Sequence, residues 1–480
     1  MIRNFLQNKK SKELTDLLND MKIGGVGCNL DTFSLLIKGG INNNWMDNIL
    51  VWFQEMKNCG IKPDKKIYQS IIQALVKNRD INNAGELFFE MQKEGIVPDM
   101  DTYESIIFRF LVNNMTGKAF ELFGELKNSG ISPHTQTYNS FLQFFVKNNK
   151  MDEALKLFRE IRQPTVKSYG IIINGFLRSN MIEKAMEWFR EMKETGIVPD
   201  VVIYNIIIDR FVKAKMMDKA VEQFREMKNV GIVPDAVTYN TIIQGFVQKK
   251  LLDRAVKWLG DMKEAGIMPD TVTYSTIIHG FVESKMMDMA VKQFEEMKQF
   301  GIVPNVVTFT TIIRGFMMYN MMDKAVEWVA RMKELGVKFN VSTYNVIIQG
   351  FVQEKLIDKA VDLFKIMGEV GVLPNNVTFN TIIKGFIDNN MMDKAQHTFD
   401  EMVKSGIKPN VVSYNTMIHL YVKSDVMDKA LEIFKEMKEQ KILPNEITIS
   451  TLLKGCKSAN MAGKRAELDL ALQKIKSNKL

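Results

Sequence analysis

Pairs of short polar side chains recur along this sequence, and the two members of each clear pair are 30 residues apart. The clearest pairs are Asn205 with Asp235, Asn240 with Asp270, Ser275 with Asn305, Thr310 with Asn340, Asn345 with Asn375, Asn380 with Asn410, and Asn415 with Asn445. An amide offers donors and an acceptor, a hydroxyl is smaller, and an ionised carboxylate only accepts. Such pairs could select ligands by hydrogen bonding. The same residue types also form helix caps and turns, which is the simpler interpretation.

Residues that commonly carry catalysis or metals are few and badly spaced for either role. The cysteines are Cys28, Cys59 and Cys456, an odd number without a CxxC pair, which argues against a disulfide framework and favours a reducing compartment. The histidines are His134, His279, His397 and His419, and no two share the i, i+4 spacing of a helical metal pair. The sequence has no GxxxxGK[ST] loop and no HxE…CxxC zinc pattern. We therefore expect no enzymatic activity, no metal and no cofactor.

The composition is that of a folded protein with a positive net charge. Apolar residues make up 46% and charged residues 25% of the 480 residues, and the net charge is +8. No apolar run approaches the roughly 18 residues that a membrane helix needs, so we expect no membrane span. The N-terminus lacks the apolar core of a signal peptide. The positive charge suits a polyanionic partner but does not identify one.

A repeat of 35 residues organises the chain. VVIYNIIIDRF at Val201, AVTYNTIIQGF at Ala236 and TVTYSTIIHGF at Thr271 begin successive units, and earlier units start at Leu30, Lys65, Met100, Thr135 and Val166. The unit from Thr135 is short, with 31 residues. We expect twelve repeats over residues 30–445. Residues 1–29 are expected to be a partial repeat or an N-terminal cap, at either a natural or a truncated start, and residues 446–480 a degenerate repeat or C-terminal capping helices.

Each unit has the pattern of two helices. In the unit from Ala236, the spacing i, i+3, i+4, i+7 places Tyr239, Ile242, Ile243 and Phe246 on one face of a first helix, with Thr238 as its expected N-cap. The second helix has its own apolar face, formed by Leu252, Ala255, Val256, Leu259 and Met262. Asp253 lies at its start, Gly266 suits a left-handed C-terminal cap, and Pro269 prevents continuation. One such pair cannot bury its apolar faces alone, so neighbouring pairs must stack into a solenoid.

The residue pattern of the unit resembles that of pentatricopeptide repeat proteins. The resemblance rests on the 35-residue unit, the aromatic fourth residue, the Ile-Ile pair, the central Ala and the closing Gly-Ile-Val-Pro-Asp, from about Phe5 to Asn445. The tetratricopeptide repeat usually has a small residue at the eighth position, where Ile243 and Ile278 stand here. The chain looks most similar to the plain class without a catalytic tail. The predicted fold is an all-α, right-handed superhelical solenoid of two-helix 35-residue repeats, although periodicity alone does not determine its hand.

The resemblance implies binding of single-stranded RNA, with one nucleotide per repeat and the RNA running 5′ to 3′ from the N-terminal to the C-terminal repeats. In this family the fifth and last residues of a repeat select the base, and the second residue packs against base faces. The second-position residues here are Val202, Val237, Val272, Val307, Val377 and Val412, and Ser342 departs from them. The resemblance also implies a role in RNA processing, stabilisation or translation in mitochondria or chloroplasts.

The family's base code extends to individual repeats of this chain. A terminal Asp accepts from bases with a ring N–H, and a terminal Asn suits bases with a bare ring nitrogen. Asn205 with Asp235 and Asn240 with Asp270 suggest U, while Ser275 with Asn305 and Thr310 with Asn340 suggest A. The three Asn–Asn pairs suggest C, with U second, so the predicted core is 5′-UUAA(C/U)(C/U)(C/U). Ser34 with Asp64 favours G, and Asn139 with Thr165 favours a pyrimidine. Three pairs give no trusted assignment: Gln69 with Asp99, Glu104 with His134, and Gly170 with Asp200.

Contacts with the RNA backbone are expected from basic residues at the thirteenth position. These residues are Lys77, Lys147, Arg178, Lys213 and Lys423. An ordinary solvated face explains them equally well. The main alternative function is a protein-binding helical scaffold that recruits a nuclease or editing partner. We expect a monomer in either case.

Overall fold

The structure is a computed structural model that describes residues 2–7, 11–23, 28–128, 132–459 and 461–477. Every regular element in these residues is an α-helix, as the repeat pattern predicts. The chain divides into two compact units, residues 1–210 and 211–480.

Helices follow one another in pairs along the described residues. Those that begin before residue 211 are α1 (Ile2–Gln7), α2 (Ser11–Ile23), α3 (Leu30–Asn43), α4 (Met46–Asn58), α5 (Lys65–Lys77), α6 (Ile81–Lys93), α7 (Met100–Val112), α8 (Thr116–Asn128), α9 (Thr135–Lys147), α10 (Met151–Arg159), α11 (Val166–Arg178), α12 (Ile182–Glu194) and α13 (Val201–Lys213). The remainder are α14 (Met217–Asn229), α15 (Ala236–Gln248), α16 (Leu252–Glu264), α17 (Thr271–Glu283), α18 (Met287–Gln299), α19 (Val306–Met318), α20 (Met322–Glu334), α21 (Val341–Gln353), α22 (Ile357–Glu369), α23 (Asn376–Asp388), α24 (Met392–Lys404), α25 (Val411–Lys423), α26 (Met427–Glu439), α27 (Glu446–Ser458) and α28 (Ala462–Ser477).

First helices begin immediately after the last residue of the preceding repeat. At α15 the Asp235 side chain accepts the backbone N–H of Thr238 at 2.9 Å, and the Thr238 hydroxyl accepts the backbone N–H of Asp235 at 3.1 Å. This reciprocal pair is a capping box. The expectation that Thr238 is the N-cap is therefore wrong. The helix begins one turn earlier, because Asp235 has the extended backbone of an N-cap while Thr238 is already helical.

The apolar faces expected from the spacing are buried. Tyr239, Ile242, Ile243 and Phe246 are nearly inaccessible to solvent. On the second helix, Leu252, Ala255, Leu259 and Met262 are buried in the same way, while Val256 is half-buried. Gly266 has the left-handed backbone expected of a residue that ends this helix, with φ of +73°.

Repeats stack through their first helices. Within residues 211–480, α15, α17, α19, α21 and α23 pack side by side in sequence order. Most second helices in these residues pack against the first helix of their own repeat and the first helix of the next, as α16 does with α15 and α17. The fold is thus the predicted all-α solenoid of two-helix repeats, in which the first helices form one layer and the second helices cover it.

In many repeats a glycine at the tenth position permits this close stacking. A Cβ atom added to Gly280 would lie 2.7 Å from Val247 Cγ1 and 2.8 Å from Leu252 Cδ2, both in the preceding repeat. Gly245, Gly315, Gly350, Gly385 and Gly455 meet equally close neighbours. The glycine is therefore required by the distance between adjacent repeats and not by its own backbone angles, which are helical.

We predict that Gly280→Ala lowers stability by about 1–3 kcal/mol, because the added methyl overpacks a rigid β-branched neighbour. The midpoint of urea unfolding, followed by far-UV circular dichroism, measures the change. Gly260→Ala is the matched control, since Gly260 lies within α16 and its added Cβ meets no atom within 4 Å. There alanine should raise stability by about 0.5–1 kcal/mol through helix propensity alone. Equal effects of the two substitutions would contradict the packing role of Gly280.

Candidate nucleic-acid interface

Each first helix keeps one face that the second helices do not cover. On α15 this face carries Val237, Gln244 and Gln248, all exposed, and the half-buried Thr241. These are the second, ninth, thirteenth and sixth residues of the repeat, which share a helix face because they are three or four residues apart. We call this surface the open face.

Valines at the second position form a regular apolar row on the open face. Val202, Val237, Val272, Val307, Val377 and Val412 are each between 56% and 61% exposed. A single exposed valine needs no explanation, but the same exposure in six repeats is a pattern. The exposure leaves these side chains available for apolar contact with flat ligands. Ser342, which replaces valine in the repeat from Val341, is exposed at the same place.

Last residues of the repeats are helix N-caps, so the simpler interpretation of their residue type is correct. Asp270, Asn305, Asn340, Asn375, Asn410 and Asn445 each accept a backbone N–H of the following helix through Oδ1. However, Asp and Asn share Oδ1. They differ in the second group, which is an oxygen in Asp and an amide nitrogen in Asn, and these caps do not use it. Capping therefore accounts for the residue class but not for the choice between Asp and Asn.

Asp270 shows the electrostatics of such a cap. Its Oδ1 accepts from the Thr273 backbone N–H at 2.8 Å, and it lies 2.9 Å from the Thr273 hydroxyl oxygen and 3.5 Å from Asn240 Nδ2. Burial alone would raise the pKa of Asp270, but the hydrogen bonds from Thr273 and Asn240 outweigh it and hold the pKa below its ordinary value. The carboxylate is therefore ionised near neutral pH and acts only as an acceptor.

Fifth residues lie beside the last residue of the same repeat. Asn240 donates to Asp270 as described, Asn345 Nδ2 donates to Asn375 Oδ1 at 3.3 Å, and Asn415 Nδ2 donates to Asn445 Oδ1 at 3.2 Å. The structure thus brings these three predicted pairs together. Asn380 and Asn410 form no direct hydrogen bond in the described part of the chain, and Asn380 Oδ1 is buried without a partner there.

Ser275 and Thr310 contact their partners through a bridging hydroxyl. Thr308 Oγ1 lies 2.8 Å from Ser275 Oγ and 3.2 Å from Asn305 Oδ1. In the next repeat Thr343 Oγ1 lies 2.8 Å from Thr310 Oγ1 and 3.0 Å from Asn340 Oδ1. The bridging residue is the third residue of the following repeat. A Thr or Ser recurs at this position in most repeats, and the sequence pattern indicated it as a helix cap but not as a contact of the polar pairs.

In the remaining repeats the last residues of the predicted pairs are also helix caps. Ser34 is half-buried on α3, and Asp64 caps α5 through the N–H of Ile67 at 2.8 Å. Asn139 is buried, and Thr165 caps α11. Asn205 lies half-buried on α13, and Asp235 caps α15.

A pair without a trusted assignment has the same arrangement. Glu104 Oε1 accepts from the Thr137 hydroxyl at 2.7 Å and lies 3.2 Å from Nδ1 of His134. Glu104 is a fifth residue, His134 is the last residue of that repeat, and Thr137 is the third residue of the next. The arrangement therefore also occurs where the fifth and last residues are not a short polar pair.

The basic residues of the thirteenth position lie on the open face. Lys77, Lys147, Arg178, Lys213 and Lys423 are all exposed. Lys423 Nζ donates to the carbonyl oxygen of Ile387 at 3.2 Å, which holds that side chain against the preceding first helix. Arg314 and Lys384, at the ninth position, lie on the same face, although the sequence pattern did not single them out. Helical spacing from the second residue would have found them.

Two kinds of feature are absent from the described residues. No helix there is both long and apolar enough to cross a membrane. No three His, Cys, Asp or Glu side chains in that part of the chain are grouped as a metal site would require.

Comparisons with solved structures show the same fold in known proteins. The crystal structure of the pentatricopeptide repeat protein PPR10 from maize is 19% identical and has a TM-score of 0.54, with 100% of this chain and 79% of that chain covered. The structure of PPR10 in complex with an 18-nt psaJ RNA element is also 19% identical and has a TM-score of 0.55, with 97% and 78% covered. No curated protein matches the sequence.

Family models match nearly all of the repeat array. The model described as the PPR repeat family matches residues 164–202, 199–247, 234–283, 269–318, 304–353, 339–388, 374–418 and 409–458. A second model, described as the pentacotripeptide-repeat region of PRORP, matches residues 32–179. Because the two together extend from residue 32 to residue 458, the chain belongs to the pentatricopeptide repeat family.

Proposed function

We propose that this protein binds single-stranded RNA along the open face and reads one nucleotide per repeat. One observation carries the proposal. The last residue is Asp in some repeats and Asn in others, and these two residues differ only in the side-chain atom that the helix cap does not use. Family membership and the likeness to PPR10, which was solved with an RNA element, support it. The row of exposed valines supplies apolar contacts for base faces, as stacking surfaces do in other RNA-binding modules.

The polar pairs select bases by their hydrogen-bonding groups. The ionised carboxylate of Asp270 accepts from a ring N–H, which uracil has and cytosine lacks. The Nδ2 of Asn375, Asn410 and Asn445 donates to a bare ring nitrogen, which suits cytosine. Ser275 and Thr310 have short side chains that leave room for a purine, and the terminal Asn305 and Asn340 then favour adenine. The proposed core is 5′-UUAA(C/U)(C/U)(C/U), in which the sequence pair Asn205 and Asp235 supplies the first U.

In the cell, such binding would act on RNA processing, stability or translation in a mitochondrion or chloroplast, with the protein as a monomer and with RNA-processing proteins as partners. Family membership supports this role.

We expect the purified chain to bind the single-stranded oligonucleotide UUAACCC more tightly than a scrambled sequence or its duplex. Fluorescence anisotropy gives the dissociation constants. The logarithm of affinity should fall with the logarithm of salt concentration by about 0.7 for each phosphate neutralised. Equal affinity for all three ligands would overturn the proposal and favour a protein-binding scaffold.

Asp270→Asn should shift the preference at the second nucleotide of the core from U toward C, changing the ratio of the two affinities by about tenfold. The helix cap is kept, because Asn supplies the same Oδ1. Only the second side-chain atom changes, from a carboxylate oxygen to an amide nitrogen. Selection from a randomised RNA pool measures the base profile. Asp288→Asn removes the same charge from an exposed position on α18 and should leave the profile unchanged. A shift spread over many nucleotides would argue for a general effect of charge.

Thr310→Asn should move the preference at the fourth nucleotide from A toward a pyrimidine, since the longer amide occupies the space that a purine needs. The same pool selection reports this change. An unaltered profile at that nucleotide would show that the assumed register between repeats and bases is wrong.

A further inference from the structure

In much of the array, the third residue of the repeat carries a buried hydroxyl. Thr273, Thr378 and Thr448 are almost completely buried. Each accepts the backbone N–H of the N-cap residue three positions earlier, at 3.1 Å in all three cases. The lone hydrogen of the hydroxyl must then be donated elsewhere, because a buried donor without a partner is costly.

That hydrogen is directed at the fifth residue of the preceding repeat. Thr273 Oγ1 donates to Asn240 Oδ1 at 2.7 Å, and Thr378 and Thr448 donate to Asn345 and Asn415 at 2.6 Å. The distances from the same hydroxyls to the N-cap oxygens are longer, between 2.9 and 3.1 Å. The short contact therefore runs between repeats, from the third residue of one to the fifth residue of the other.

These contacts fix which way the Asn amide points. Asp270 Oδ1 can only accept, so the atom of Asn240 that faces it is the nitrogen and the atom that faces Thr273 is the oxygen. Asn375 Oδ1 and Asn445 Oδ1 accept backbone N–H groups, which assigns Asn345 and Asn415 in the same orientation. The amide oxygen is occupied in each case, while the nitrogen keeps a second N–H for a ligand.

We propose, on the basis of the function proposed above, that the third-position threonine is a positioning residue for base selection by the preceding repeat. It holds the fifth-position amide with its oxygen inward, so that only an N–H donor faces the base. A fixed donor suits the O2 carbonyl that cytosine and uracil share, and the last residue then separates these two bases. Selectivity in one repeat thus depends on a side chain that belongs to the next.

Two repeats lack this contact, and in each case the following repeat has serine in place of threonine at the third position. Ser413 Oγ donates to Asn410 at 3.2 Å, and Asn380 Oδ1 is left buried without a partner among the described residues. Ser168 Oγ faces the Thr165 hydroxyl at 3.1 Å, and Asn139 Oδ1 is unpartnered in the same way. The serine hydroxyls keep the capping position, since Ser413 Oγ accepts the Asn410 N–H at 3.2 Å as Thr378 Oγ1 accepts the Asn375 N–H at 3.1 Å. They lack the Cβ methyl that restricts χ1 in threonine and holds its hydroxyl against the amide. Among the three Asn–Asn repeats, the repeat of Asn380 should therefore discriminate pyrimidine from purine least.

Reciprocal substitutions test the proposal without removing the capping hydroxyl. Thr378→Ser should lower the preference for C over A at the fifth nucleotide of UUAACCC by about 3- to 10-fold, the effect of one hydrogen bond. Ser413→Thr should raise the same preference at the sixth nucleotide by a similar factor. The readout is the affinity for UUAACCC divided by the affinity for UUAAACC or UUAACAC. Thr398→Ser is the control, because it removes the same methyl from a buried threonine on α24.

The possible outcomes separate this proposal from the function on which it rests. Changes confined to the fifth or sixth nucleotide, opposite in direction for the two variants, support the positioning role. A uniform loss of affinity or of thermal stability, equal to that of Thr398→Ser, shows that Thr378 is only structural and overturns it. If the unaltered protein itself shows no preference at these nucleotides, the proposed function fails.

Discussion

The side-chain hydrogen bond that begins most of the described first helices is the interaction on which the other features depend. The last residue of a repeat accepts a backbone N–H of the next helix through Oδ1, and an N-cap of this kind contributes about 1 kcal/mol. The bond sets the residue at which the helix begins. It therefore sets which side chains face the core, which face the open side, and where the second group of the capping side chain points. One residue can be both the cap and the proposed base-selecting residue, because its carboxylate or amide has two terminal atoms. One atom caps the helix, and the other remains for the base.

Close stacking of the first helices is the second constraint. A hydroxyl in one repeat reaches an amide in another only because their helices lie side by side, and the tenth-position glycine allows that approach. Alanines on the second helices serve the same end, since Ala255 and Ala290 are completely buried and their side chains are small. The polar contacts between repeats thus depend on the apolar packing beneath them. A change in the distance between packed helices would change the hydrogen-bond distances at the open face.

Two interpretations of the polar pairs, as caps and as base-selecting residues, prove compatible. Capping explains why the last residue is Asp, Asn or Thr. It leaves unexplained why Asp270 is followed 35 residues later by Asn305, since both cap equally well. A carboxylate is ionised near neutral pH, and the lowered pKa of Asp270 keeps it so. Asp270 is therefore an acceptor alone, whereas Asn305 can also donate. A structural role and a selective role therefore occupy different atoms of the same side chain.

The sequence by itself determined the helices, their pairing and the residues of the buried faces, because these follow from periodicities within a single repeat. Tyr239, Ile242 and Ile243 could be assigned to the core from their spacing alone. It also identified the polar pairs, because their recurrence needs no coordinates to be seen. It misplaced the start of α15 by one turn, since Asp235 and Thr238 are both good caps and only the backbone distinguishes them. Tertiary structure alone decided that Thr273 touches Asn240, 33 residues away, and hence which end of the amide faces outward. Such contacts depend on the distance between stacked helices, which no local pattern encodes.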